Sequence, residues 1–111
     1  MPEPFAARAR ADAGVAVIEL EGQVDGAAEA SLLDAWNLAA PGAPRVVLDF
    51  SAVDYINSTG LAVIVQLLAM ARAQGCEVHA VGLSDHYREI FQITRLSDFV
   101  TVHADLAAAL A

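Results

Sequence analysis

Three features of this 111-residue chain are able to do chemistry: a hydroxyl-rich turn, three histidines and one cysteine. The turn is Asn57-Ser58-Thr59-Gly60, the end of a run that begins Asp49-Phe-Ser-Ala-Val-Asp-Tyr-Ile. It follows a dense apolar segment and opens the longest helical pattern in the chain, where α/β folds commonly place function. A hydroxyl at such a junction can accept a hydrogen bond from an unpaired amide of the first helical turn, so Ser58 reads first as an N-cap. The same position tolerates a phosphoryl group, because the free amides and the helix macrodipole favour an anion. His79, His86 and His103 fall on three different elements without paired spacing. No zinc site is expected of them, and His79 is expected to face solvent or a loop. Cys76 follows Gly75 and reads as a small, semi-buried side chain; a reactive thiol needs positive surroundings that are missing. Ser58 lacks the Gly-x-Ser-x-Gly elbow of the common hydrolases, and Gly22, Gly26 and Gly82 make no phosphate-cradling loop. Neither a catalytic residue nor a bound cofactor is expected.

The elements that must hold this turn can be read from periodicity. Residues 1–4 are expected to fray. Residues 15–22 alternate, with Ile18 and Leu20 inward and Glu19 and Glu21 outward, so they predict a strand. Residues 5–11, with Arg8 and Arg10 outward, pair with it as a hairpin turning at Asp12-Ala13-Gly14. Residues 26–40 change to helical spacing through Ala28, Leu32, Ala35 or Trp36, and Ala39, and Pro41-Gly42 stops them. Residues 45–50 form a short apolar strand of the kind covered on both faces. Residues 61–74 form the strongest helix, apolar at Leu61, Ile64, Val65, Leu68 and Ala69, with Leu61, Ile64, Val65 and Leu68 expected to face the sheet. Its other side shows Ala62, Val63, Gln66, Met70 and Ala73 with no charge before Arg72. Such a helix buries a second face, against either a neighbouring helix or a protein partner. Residues 77–82 make the next strand. A helix capped by Ser84 or Asp85 then turns Tyr87, Ile90, Phe91 and Thr94 inward, and a strand at 99–103 and an alanine-rich helix at 104–110 end the chain. Strand-helix-strand repeats imply parallel pairing with right-handed crossovers.

Composition narrows the partners. One domain and one core are expected at this length, with 57% hydrophobic residues and a mean hydropathy of +0.48. Fourteen acidic residues against six arginines and no lysine leave a formal charge of -8. A basic footprint for nucleic acid is therefore absent, and an acidic surface favours solubility and a basic protein partner. The apolar stretch 60–71 is interrupted by Gln66 and falls short of the roughly 20 residues a membrane span needs. A single cysteine and an N-terminus without a basic, apolar leader point to the cytoplasm.

The Asp-Phe-Ser-x-Val-x-Tyr-Ile-Asn-Ser-Thr-Gly-Leu run resembles the signature of STAS domains, specifically the anti-sigma factor antagonists of bacterial partner-switching systems. Leu20-Glu-Gly-Gln-Val-Asp25, the Ala80-Val-Gly-Leu83 strand and the helical Tyr87-to-Leu96 segment also sit where that family has them. The resemblance implies a single α/β domain over 1–111, with a mixed, mostly parallel sheet of about five strands and about four helices packed largely on one face. It implies a cytoplasmic protein-binding module, not an enzyme. Ser58 would be the residue phosphorylated by a kinase-type anti-sigma factor and restored by a PP2C-type phosphatase, with Thr59 the second choice. Asp25, Tyr55, Asn57, Ser58, Thr59, Gly60, Ala62, Val63, Gln66 and Met70 would make the partner surface, on a protein favoured to be a monomer. Many relatives carry aspartate before the serine, where this chain has Asn57, which keeps the size and one acceptor without the charge. The alternatives are a STAS subunit that docks a transporter ATPase or sensory complex without a phosphate cycle, and, from another class, a small enzyme using Ser58.

Overall fold

In a computed structural model, which describes residues 4–111, the chain forms a five-stranded sheet in the order β1-β2-β3-β4-β5. The start expected to fray falls, for residues 1–3, outside the described residues. β1 (Ala6–Asp12) and β2 (Val15–Val24) are the expected antiparallel hairpin. Its two central residues, Ala13 at φ 51° and Gly14 at φ 79°, take the positive φ that a type I′ turn demands and that matches the twist of the strands. β3 (Arg45–Ile56), β4 (Glu77–Val81) and the two-residue β5 (Thr101–Val102) add in parallel. Between them run α1 (Glu29–Ala39), α2 (Ser58–Ala73) and α3 (Asp85–Ile93), and α4 (Leu106–Leu110) closes the chain. Short 3-10 turns at Gly26–Ala28 and Leu96–Asp98 complete it.

The strand order matches the chain order, so three crossovers of the same hand put α1, α2 and α3 on one face of the sheet. The main core lies there. Ile18, Leu20, Val46, Leu48, Val78 and Ala80 from the sheet meet Leu32, Trp36, Ile64, Leu68 and Phe91 from the helices, and Phe91 packs edge-on to Phe50 with ring centroids 6.0 Å apart. Trp36 is buried, and its Nε1 donates to Gln74 Oε1 at 3.1 Å. Among the described residues only α4 covers the opposite face, where Ala109 and Leu106 pack on Val17, Val47 and Val81.

Several expectations shift. β3 continues six residues past Phe50, whereas β5 is shorter than 99–103 and leaves Phe99 half exposed. In α3 the inward residues are Tyr87 and Phe91 with Ile90 at the margin, and Thr94 is exposed at the C-cap, its hydroxyl turned back to the Ile90 carbonyl. The α2 face is rotated by one position. Val63, Ile64, Leu67, Leu68 and Ala71 are buried, while Val65, expected inward, is exposed. The rotation has a physical cause: Gly60 rests directly on the Val24 backbone and fixes the helix phase. An almost uniformly apolar sequence accepts either phase.

Candidate functional site

The turn is positioned by a strand that carries extra residues. Between the pairs Glu19↔Asp49 and Val24↔Ile56, β3 holds two more residues than β2, taken up in two irregularities of register. Such bulges bend a strand and re-aim the residues at its end, and here they deliver Asn57 beside the end of β2. The Asn57 amide donates to the Val24 carbonyl at 3.2 Å. From the far side, buried Tyr87 reaches across from α3. Its hydroxyl accepts from the Ile56 amide at 2.8 Å and faces the Ile56 carbonyl at 3.4 Å. The residue before the turn is thus held by backbone bonds and by a side chain 31 positions later.

Asn57, not Ser58, is the N-cap of α2. It adopts extended backbone angles, and its Oδ1 accepts from the Gly60 amide at 2.8 Å. The same oxygen accepts from the Thr59 hydroxyl at 2.8 Å, and Thr59 Oγ1 in turn accepts from the Gly26 amide at 3.1 Å. Asp25 caps the neighbouring 3-10 turn by accepting from the Ala27 amide at 2.9 Å. At Gly60 a Cβ would collide with the Val24 carbonyl, so no larger residue fits without moving β2 away from α2. Ser58 is displaced by one position to the first helical residue. It is exposed, and its hydroxyl has no hydrogen-bond partner among the described residues. Next to it the amides of Ser58 and Thr59 also lack acceptors among the described residues, a local environment that stabilises negative charge.

Asp25, Asn57, Ser58, Thr59 and Gly60 therefore converge on one end of the molecule, at the carboxyl ends of β2 and β3. Tyr55 is half exposed at the same end of β3, paired with Gln23. Ala62 and Gln66 are exposed on α2. Val63 is a correction: it is 7% exposed and belongs to the core, because the phase of α2 turns it between the sheet and α1. Met70 is half-buried. With Val63, Gln66, Leu67 and Leu33 it lines a shallow groove of about 220 Å³ between α1 and α2, so the two helices share a partly open seam.

Sequence reading missed two contacts. The Tyr87 hydroxyl is one, since helical spacing identifies Tyr87 as inward but not what its oxygen meets. The other is a histidine pair. His79 is buried rather than turned to solvent, and its Nδ1 lies 2.8 Å from His103 Nε2. The rings are nearly coplanar, 13° apart, with centroids at 5.1 Å, the arrangement of a head-on N–H···N bond rather than of stacked faces. His79 Nε2 meets the Glu77 carboxylate at 3.2 Å. Burial, the neighbouring His79 and Arg45 all lower the His103 pKa from its ordinary value. No group of three or more potential metal ligands occurs among the described residues. Cys76 is buried, and burial, reinforced by Glu77, pushes its thiol pKa up, away from reactivity. No helix among the described residues is long and apolar enough to cross a membrane.

The STAS domain family model matches residues 6–109. The chain belongs to the STAS domain family. It is 38% identical over 102 residues to a Bordetella bronchiseptica protein named as an anti-sigma factor antagonist, BtrV, covering 88% of this chain and 86% of that one. A solved anti-sigma factor antagonist from Mycobacterium paratuberculosis superposes with a TM-score of 0.76 at 25% identity, covering 99% of this chain and 94% of the other. The Bacillus cell fate determinant SpoIIAA in its phosphorylated form shares the fold at 17% identity, with a TM-score of 0.67 over 96% of each chain.

Proposed function

We propose that this STAS domain is an anti-sigma factor antagonist whose partner surface is gated by phosphorylation of Ser58. The observation that carries the reading is the division of labour in one turn. Asn57 and Thr59 are engaged in bonds that hold the turn together, while the Ser58 hydroxyl between them is exposed and bonds to nothing among the described residues. Phosphorylation adds about -1.5 to -2 charges at neutral pH. The free first-turn amides stabilise that charge, so the fold survives it. A docked partner must desolvate the same charge, so the complex does not. The switch requires no rearrangement of the scaffold. Family membership and the antagonist names of its relatives support an anti-sigma factor as the partner and a regulatory role; in the proposed cycle that partner is a kinase, a PP2C-type phosphatase resets the serine, and the compartment is the cytoplasm. Tyr55, Asn57 and Thr59 would flank the serine in the contact, with Asp25 and Gly60 shaping it and Ala62, Gln66 and Met70 extending it along α2.

Pull-down by the anti-sigma factor tests the gate. Ser58→Ala is expected to keep the affinity of the unmodified protein and Ser58→Asp to lose at least about tenfold, equivalent to ~1.4 kcal/mol. Equal binding by the two variants would refute a charge gate. Retained docking of a transporter ATPase or a sensory complex, with no binding to any anti-sigma factor, would refute the antagonist reading itself.

A further inference from the structure

The partner surface is built from two chain segments, the end of β2 with its 3-10 turn and the first turn of α2, and one side chain joins them. Thr59 Oγ1 donates to Asn57 Oδ1 at 2.8 Å and accepts from the Gly26 amide at 3.1 Å. A Cβ built on Gly26 would sit 3.6 Å from both Thr59 Cβ and Oγ1, in ordinary van der Waals contact. Gly60 packs on the backbone of Val24 and Asp25 and the Asn57 amide bonds to the Val24 carbonyl, so among the described residues it is Thr59 Oγ1 that supplies the hydrogen bond tying Gly26 itself to α2. We infer that Thr59 is a positioning residue: its hydroxyl clasps the Asp25-Gly26 segment to α2, so that both segments reach the anti-sigma factor as one preorganised face. This rests on the proposed antagonist reading and assigns a residue to it. The clasp uses the hydroxyl's proton and a lone pair together, which also holds Thr59 back from modification and leaves Ser58 as the free acceptor.

Preorganisation raises affinity by removing an ordering cost from the binding step. The cap itself does not depend on the clasp, since Asn57 Oδ1 also accepts from the Gly60 amide, so Thr59→Val is expected to fold. Two readouts on protein shown by intact mass to be unphosphorylated decide the matter. The first is amide exchange at Gly26 by NMR, with no partner present. Thr59→Val should speed it at least about tenfold, and Thr59→Ser, which retains the hydroxyl, should restore protection. The second is the Kd for the anti-sigma factor, which Thr59→Val should raise by roughly five- to tenfold and Thr59→Ser should leave within twofold. Gly26 exchange unchanged in Thr59→Val, or wild-type binding unaltered by it, would overturn the clasp alone. Wild-type protein that binds no anti-sigma factor would instead overturn the antagonist reading together with the role given to Thr59 in it.

Discussion

Removing the Asn57 side chain separates the cap from the proposed switch. In Asn57→Ala the Gly60 amide loses its acceptor at 2.8 Å and the Thr59 hydroxyl loses its own at 2.8 Å. Loss of an N-cap costs about 0.5–2 kcal/mol, typically about 1, and the part-buried Gly60 amide puts this site in the upper half of that range. For a domain of this size, between the cases of about 4–8 °C and 2–4 °C per kcal/mol, Tm should fall by roughly 4–8 °C. Asn57→Asp keeps both acceptor bonds and adds a carboxylate at the helix N-terminus, which contributes about 0.3–1 kcal/mol at low ionic strength. It should therefore match or exceed the wild type. Ser58→Ala removes a hydroxyl that bonds to nothing among the described residues and should stay within about 0.5 kcal/mol of wild type, as ordinary surface substitutions do. Thermal and urea unfolding, monitored by circular dichroism, measure all three. The ranking Asp ≥ wild type ≈ Ser58→Ala > Asn57→Ala is expected. A Ser58→Ala protein less stable than Asn57→Ala would show that the serine is the cap and that the assignment of roles in the turn is wrong.

Three other perturbations probe the same geometry. Gly60→Ala drives a methyl into the Val24 carbonyl and should destabilise by about 1–3 kcal/mol, the ordinary cost of overpacking; an unchanged urea midpoint would contradict the close approach of α2 to β2. Tyr87→Phe strips the buried Ile56 amide of its acceptor and should cost about 1–3 kcal/mol, with faster amide exchange at Ile56 as the specific signature; unchanged Ile56 exchange would refute that tie. The His79-His103 pair makes stability pH-dependent. Burial, His79 and Arg45 lower the folded-state pKa of His103, so the folded chain binds that proton less readily than the unfolded one. Its contribution is fully present above the ordinary histidine value of 6.5 and declines as pH falls below it. Urea midpoints should drop between pH 7.5 and 5.5, and less steeply in His103→Gln; identical slopes would refute the assignment.

Much of this fold was legible in the residues, and the departures have identifiable causes. The hairpin was readable because Asp12-Ala13-Gly14 supplies the left-handed turn directly, and the helix ends because Pro41, Gly42 and Gly75 interrupt them. The extension of β3 to Ile56 was not, since its two extra residues destroy the period-two alternation by which strands are recognised. Asn57, Ser58 and Thr59 are all good capping residues, and what selects Asn57 is tertiary: its amide bonds to Val24 and Gly60 beds on the same backbone. Val63 and Val65 exchanged roles for a related reason, because an apolar helix carries no phase of its own. His79 and His103 meet through the register of β4 against β5, which pairs His79 with Thr101 and Ala80 with Val102. No local pattern encodes a contact between residues so distant in sequence.

The proposed partner switch rests on Ser58. Incubation with the kinase-type anti-sigma factor and ATP, then mass-spectrometric mapping and calorimetric titration of the two purified forms, tests it most directly. Phosphate on Ser58 alone is predicted, with the modified protein as thermally stable as the unmodified one and its affinity for the anti-sigma factor lower by at least about tenfold. Phosphate on Thr59 in place of Ser58, or a phosphorylated form that binds as tightly as the unmodified one, would contradict it.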